Sequence, residues 1–235
     1  MSAAAQQRPT NLTRYREALR GKTAPRYIAV EGPIGVGKTT LTRRLADALR
    51  YPVLLEPAAE NPFLGDFYRD GRSNALPTQL FFLLHRARQM QELPVHDLVG
   101  PSVVSDFLMD KDELFARLTL TEEEFTLYRQ IERALEIEAP VPDLVIYLQA
   151  PTDVLLQRVR QRGIKSEQSM EPDYLETLAR AYTEFFHFCD KAPVLIVNAT
   201  EIDFANNDAH FDALFDRMLH VDGMRQYFNP NPTLL

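Results

Sequence analysis

The chain has 235 residues, 45% of them hydrophobic and 25% charged, with a formal net charge of −7. That length can bury a full core, and the acidic balance argues against a polynucleotide partner, whose backbone calls for a basic surface. The single cysteine, Cys189, leaves no intrachain disulfide and points to a reducing compartment such as the cytoplasm, and no apolar run approaches the ~20 residues of a membrane span.

The first 26 residues hold six Arg or Lys against one acid, Glu17. Residues 1–25 therefore read as a basic arm, partly disordered, with a short helix around Arg14 to Arg20. Tyr27-Ile28-Ala29-Val30 then reads as a buried strand. Directly after it, Gly32-Pro33-Ile34-Gly35-Val36-Gly37-Lys38-Thr39 matches G-x-x-x-x-G-K-[ST]. Thr40 to Leu49 follows with Leu41, Leu45, Ala48 and Leu49 at helical spacing. Strand, glycine loop and helix together form a phosphate cradle spanning Gly32 to Thr40. Loop amides and the positive helix end face the anion, Lys38 reaches the terminal phosphates, and the Thr39 hydroxyl ligates Mg²⁺.

Four further apolar runs read as strands: Val53 to Leu55, Val103 to Ser105, Leu144 to Leu148 and Val194 to Val197. Helical patterns separate them, which predicts an α/β fold with a five-stranded parallel sheet flanked by helices in three layers. Ligands in such sheets collect beyond the carboxyl ends of the strands. Two acids stand there, Glu56 after the second strand and Asp106 after the third. A carboxylate about 4 Å from a phosphate costs ~4 kcal/mol at surface-like dielectric, unless a metal or a proton-transfer task compensates. Asp106 suits the Mg²⁺ shell beside Thr39, and Glu56 suits a base for an acceptor hydroxyl. The plainer reading of Glu56 is an N-terminal helix acid before Pro57.

Pro77 to Gln91 reads as a long helix, with Gln79 and Arg86 on one apolar stripe either side of Leu83. Burying both without partners is costly, and a planar hydrogen-bonding ligand would supply them; the alternative is a helix end whose polar groups snorkel to solvent. Glu122 to Glu136 is a second long helical segment. Thr152 to Arg162 carries Arg158 and Arg162 on one face before Gly163. They suit a lid that neutralises a transferring phosphoryl group, against the bland reading of a basic helix end.

These residues together resemble the deoxynucleoside kinase family, in the branch of deoxycytidine, deoxyguanosine and deoxyadenosine kinases. The similarity runs from about Tyr27 to Val197. It is strongest through Tyr147-Leu148-Gln149-Ala150-Pro151, the Gln157 to Gly163 arginine lid, Ser166-Glu167-Gln168 and Tyr174-Leu175-Glu176, with Leu55-Glu56-Pro57 matching the segment of the family's base. The resemblance implies a P-loop kinase domain over 26–222 and a C-terminal tail over 223–235. It implies ATP and Mg²⁺, and transfer of a phosphoryl group to the 5′-hydroxyl of a deoxyribonucleoside. It places Gln79 and Arg86 against the base, Tyr68 and Glu167 against the sugar 3′-hydroxyl, and Phe115 in the wall of the base pocket. It also implies a homodimer, with the helices over Gln79 to Gln91 or Glu122 to Glu136 at the interface.

The chain departs from the family's pattern where Phe107, not Arg, follows Asp106, where Ile164 stands at a lid position that often carries Arg, and where Asn61 replaces a large aromatic. The segment from Asp106 to Asp112 is also open to a one-residue shift in register, so Asp110, Lys111 and Asp112 receive no role. Asn61 leaves room that favours a purine. A thymidylate kinase type of monophosphate kinase and a non-catalytic relative remain as rivals; no guanine-reading N-K-x-D segment supports a signalling switch.

Overall fold

A computed structural model describes residues 12–70, 73–93 and 102–230. Residues 1–11 of the expected 1–25 arm and the last five residues thus lie outside the described residues, but Leu12–Ala18 forms a helix, α1. It is pinned from Tyr15, whose hydroxyl donates to Asp212 at 2.6 Å and whose ring packs against Phe211 and Phe215.

Strand β1 (Tyr27–Glu31) is buried at all five positions, as expected of a strand covered on both faces. The glycine loop leads to α2 (Lys38–Leu49), which buries Leu41, Leu45, Ala48 and Leu49. There follow the short β2 (Val53–Leu54), a 3₁₀ turn at Ala58–Glu60, α3 (Leu64–Asp70), α4 (Ala75–Gln91) and β3 (Val103–Ser105). Helix α5 spans Lys111–Thr119, and α6 spans Glu122–Ala134 behind a capping box in which Thr121 and Glu124 exchange side-chain and backbone hydrogen bonds. Strand β4 (Leu144–Gln149) precedes α7 (Thr152–Arg162), which ends on Gly163. A second 3₁₀ turn, Lys165–Ser169, leads into α8 (Pro172–Phe188), β5 (Val194–Asn198), α9 (Asp208–Met218) and β6 (Arg225–Phe228).

The sheet is parallel throughout, in the order β2-β3-β1-β4-β5-β6. It therefore has six strands where the apolar runs predict five. The sixth, Arg-Gln-Tyr-Phe, comes from the segment expected as a tail. It lies on the edge beside β5 and buries one residue in its span, Gln226, so it carries no apolar run to betray it. The chain leaves β1 for the β2 side and later passes back to β4, so strand order reverses around β1, where ligands of open α/β sheets bind. Register brings Leu54 level with Ser105 and Ala29 level with Ser105. The residues that follow these strands consequently converge at one edge.

Helix α8 packs on β4 through stacked rings, with Tyr147 and Phe186 centroids 4.6 Å apart. Helices α4, α5 and α6 pack on one another, and α5 also packs on α8. Among the described residues no helix is long and apolar enough to cross a membrane.

Candidate active site

The glycine loop closes because two of its glycines have no room for a side chain. A Cβ on Gly32 would stand 2.3 Å from the Leu148 carbonyl oxygen, and one on Gly35 would stand 2.8 Å from the Leu155 carbonyl oxygen; both have positive φ. The loop thus lies against β4 and α7, and α2 starts at Lys38 with first-turn amides that lack intrahelical partners. Those amides, with Gly35, Gly37, Thr39 and Thr40, line a cavity of about 520 Å³. Lys38 Nζ donates to the carbonyls of Gly32 at 2.7 Å and Pro33 at 3.2 Å.

Asp106 ties the cradle to β2. Its Oδ2 accepts from the Thr39 hydroxyl at 2.7 Å and its Oδ1 from the Glu56 backbone N–H at 2.7 Å. A hydroxyl beside a carboxylate oxygen, next to a phosphate loop, is a donor set that fits Mg²⁺, which keeps waters and substrate phosphates as its remaining ligands.

Glu56, Gln79, Arg86, Phe115, Tyr68, Arg158, Arg162 and Glu167 line the same cavity. The structure therefore brings every residue expected to bind or act on a ligand, apart from Pro33, Gly32 and Val36 of the loop itself, to one chamber. Gln79 and Arg86 are each 3% exposed, on either side of the fully buried Leu83, so neither snorkels to solvent. Arg86 donates through Nε to Glu56 Oε1 at 2.9 Å, pairs with the same oxygen through Nη2, and pairs with Asp112 through Nη1. Lys111, 2% exposed, sits 3.3 Å from Glu56 Oε1 and 3.3 Å from Glu31 Oε1. Glu31, Lys111, Glu56, Arg86 and Asp112 thus form a chain of alternating charge. Burial pushes the Glu56 carboxyl up, but Arg86, then Lys111, and finally Lys38 overcome it and hold the group at about 2.

Glu31 is anchored from three more sides. It accepts from the Leu108 N–H at 2.7 Å, the Gly32 N–H at 3.2 Å and the Tyr182 hydroxyl at 3.1 Å. Glu31, Lys111 and Asp112 were not among the residues expected at the site. Glu31 obeys the same strand-end rule that singles out Glu56 and Asp106. Lys111 and Asp112 lie in the run Asp110-Lys111-Asp112, which receives no role from sequence because its register is open. Asp110 turns outward to pair with Lys191. Lys111 supplies a cation at the edge where Phe107, wholly buried, has none.

The lid is split in its commitments. Arg158 Nη2 donates to the carbonyls of Ala199, Thr200 and Ile202 at 2.9, 3.1 and 3.2 Å, so part of its guanidinium braces the loop after β5. Arg162 is about half exposed, with Nη1 3.5 Å from Glu167 Oε1. Burial pushes the Glu167 carboxyl up against the pull of Arg162 and Lys38. Its Oε2 is buried with no hydrogen-bond partner, and Tyr68 lines the same cavity, so a ligand hydroxyl would satisfy that oxygen. Asn61 does not line the chamber. Its amide donates to Thr78 O at 3.2 Å and its carbonyl accepts from Phe63 N–H at 3.0 Å, which clamps the turn before α3 onto α4.

The profile of the family described as "Deoxynucleoside kinase" matches residues 28–221. The chain is 34% identical to the deoxyguanosine kinase of Bacillus subtilis (strain 168) over 197 residues, covering 82% of this chain and 95% of that protein. It is 27% identical to the deoxyadenosine/deoxycytidine kinase of the same organism, over 83% of this chain and 92% of that one. Among solved structures, the deoxyadenosine kinase of M. mycoides with bound dATP superposes with a TM-score of 0.70 at 24% identity, covering 82% of this chain and 98% of that chain.

Proposed function

Because the chain belongs to the deoxynucleoside kinase family, we propose that it transfers the γ-phosphoryl group of ATP to the 5′-hydroxyl of a purine deoxyribonucleoside. The purine assignment rests on relatives named for deoxyguanosine and deoxyadenosine, and not on Asn61, whose side chain is spent on backbone groups.

The observation that carries the mechanism is the one-sided grip on Glu56. Both Arg86 hydrogen bonds and the 3.3 Å approach of Lys111 fall on Oε1, and in this reading Oε2 serves the acceptor hydroxyl. In this reading the 5′-hydroxyl donates to Oε2, and its oxygen attacks the γ-phosphorus in line. The bond to the β–γ bridging oxygen breaks, ADP departs, and the hydroxyl proton passes to Glu56. A carboxylate held near 2 is a weak base, which suits a loose transition state in which the nucleophile is little deprotonated when the leaving bond breaks. Orientation is then its larger contribution.

Lys38 and the amides of the Gly32 to Thr40 loop hold the β- and γ-phosphates. Thr39 and Asp106 would hold Mg²⁺, which when bound neutralises charge on those phosphates. Arg162, and the free part of the Arg158 guanidinium, close over the transferring oxygens. Tyr68 and Glu167 hold the 3′-hydroxyl, Phe115 walls the base, and Gln79 with Arg86 reads its edge. An acceptor already bearing a phosphate would meet Glu56 and Asp106 at the strand ends, a repulsion that disfavours the monophosphate kinase reading. Exposed leucines on α4 and α6, Leu84 at 49% and Leu127 at 46%, support a homodimer through those helices. The unpaired Cys189 fits a cytoplasmic setting.

A panel of deoxynucleosides and deoxynucleoside monophosphates, assayed by ADP release with Mg-ATP, tests the assignment. Purine deoxynucleosides should be the best acceptors. A preference for any monophosphate would overturn it.

A further inference from the structure

Gln79 is nearly fully buried, and its side-chain amide makes one hydrogen bond among the described residues: Nε2 to Thr119 Oγ1 at 3.2 Å. Thr119 closes α5, and its hydroxyl donates to the Phe115 carbonyl at 2.7 Å, one turn back. A threonine hydroxyl has a single proton. With that proton given to Phe115, Oγ1 can only accept, so the amide atom facing it must be the nitrogen. The orientation of Gln79 follows from this network. Thr119 in turn is held by α5, whose Lys111, Asp112 and Ala116 are buried.

A glutamine amide that turns freely is a degenerate reader, because a half-turn exchanges its acceptor and its donor. The two common purine edges have opposite polarity. A 6-oxopurine presents an acceptor at O6 and a donor at N1–H, whereas a 6-aminopurine presents a donor at N6 and an acceptor at N1. An amide held in one orientation offers Oε1 and its remaining N–H in a set order, and so pairs with one polarity. A threonine bonded back to its own helix is commonplace. What distinguishes this one is that a buried amide lining the ligand chamber depends on it.

We propose that Thr119 is a specificity-positioning residue, which locks the Gln79 amide so that the chamber accepts one purine edge polarity and rejects the other. This rests on the reading of the chamber as a deoxynucleoside site, with Gln79 at the base edge.

Deoxyinosine and deoxyadenosine differ only along that edge, so the ratio of their kcat/KM values reads the lock directly. Replacing the hydroxyl by a methyl group, Thr119→Val, should move that ratio toward one on the order of tenfold, within the range a bidentate base pair discriminates. The change should appear mainly in KM for the disfavoured nucleoside. Thr119→Ser, which keeps the hydroxyl, should retain the wild-type ratio, and Thr119→Ala gives the same reading as Val if the valine variant fails to fold. An unchanged ratio in folded Thr119→Val or Thr119→Ala would overturn the proposal, as would loss of the ratio in Thr119→Ser. Failure of the wild type to phosphorylate any deoxynucleoside would instead overturn the kinase reading on which the proposal rests.

Discussion

Arg86 reaches Glu56 with two nitrogens, and both meet the same carboxylate oxygen, Oε1. Lys111 meets that oxygen too, from the opposite neighbour in the charge chain. Such a grip does two things at once. It overcomes the burial that would otherwise neutralise the carboxyl, and it fixes one oxygen of a carboxylate that lines the ligand chamber.

Lys111 is predicted to act through Glu56. Its removal in Lys111→Met takes away one of the cations that depress the Glu56 carboxyl, so the acid limb of kcat/KM should move to higher pH; Lys111→Arg should move it back. The same change leaves Glu31 buried without its cation, and breaking a buried pair costs about 3 kcal/mol or more, readable as a lower Tm. The sign for the wild type follows from the depressed value. Stability from ionised Glu56 is full above the ordinary carboxylate pKa and is lost as pH falls from there toward about 2. Glu56→Gln should therefore lose less stability than wild type over that window.

Two glycines of the loop should separate fold from ligand binding. Gly32→Ala drives a Cβ into the Leu148 carbonyl, a backbone group that cannot give way, and should cost at least ~2 kcal/mol of stability. Gly37 has open space around its Cα but a φ of 106°. Gly37→Ala should carry only the strain of that backbone, about 1–3 kcal/mol, while weakening Mg-ATP binding. Thermal unfolding and calorimetric titration with Mg-ATP distinguish the two.

The arginines of α7 should also part company. Arg162→Ala removes a half-exposed guanidinium and should lower kcat about 10²-fold or more with little change in Tm, since a cation on transferring phosphoryl oxygens can supply that much. Arg158→Ala should lower both, because it also releases the carbonyls of Ala199, Thr200 and Ile202.

Much of this arrangement is legible in the sequence where one segment carries its own signal. The phosphate loop is contiguous, and Glu56 and Asp106 each follow an apolar run. Gln79 and Arg86 stand out because two polar groups on a buried stripe need partners. The parts that escape are those whose meaning comes from a second segment. Lys111 and Asp112 become site residues only when α5 folds against α4 and β1. Thr119 matters through an amide on another helix. β6 pairs along a sheet edge and needs no apolar run, so Arg225–Phe228 looks like tail. Asn61 illustrates the reverse: a residue read for the room it leaves turns out to be a clamp between turn and helix.

The most direct test is turnover of Glu56→Gln with Mg-ATP and deoxyguanosine, following formation of the deoxynucleoside 5′-monophosphate and ADP. Glutamine keeps the shape but cannot take a proton or be drawn by Arg86 and Lys111 as a charge. The wild type should form both products in equal amounts, and a folded Glu56→Gln should be slower by ~10²-fold or more. Turnover by Glu56→Gln equal to that of the wild type would contradict the account.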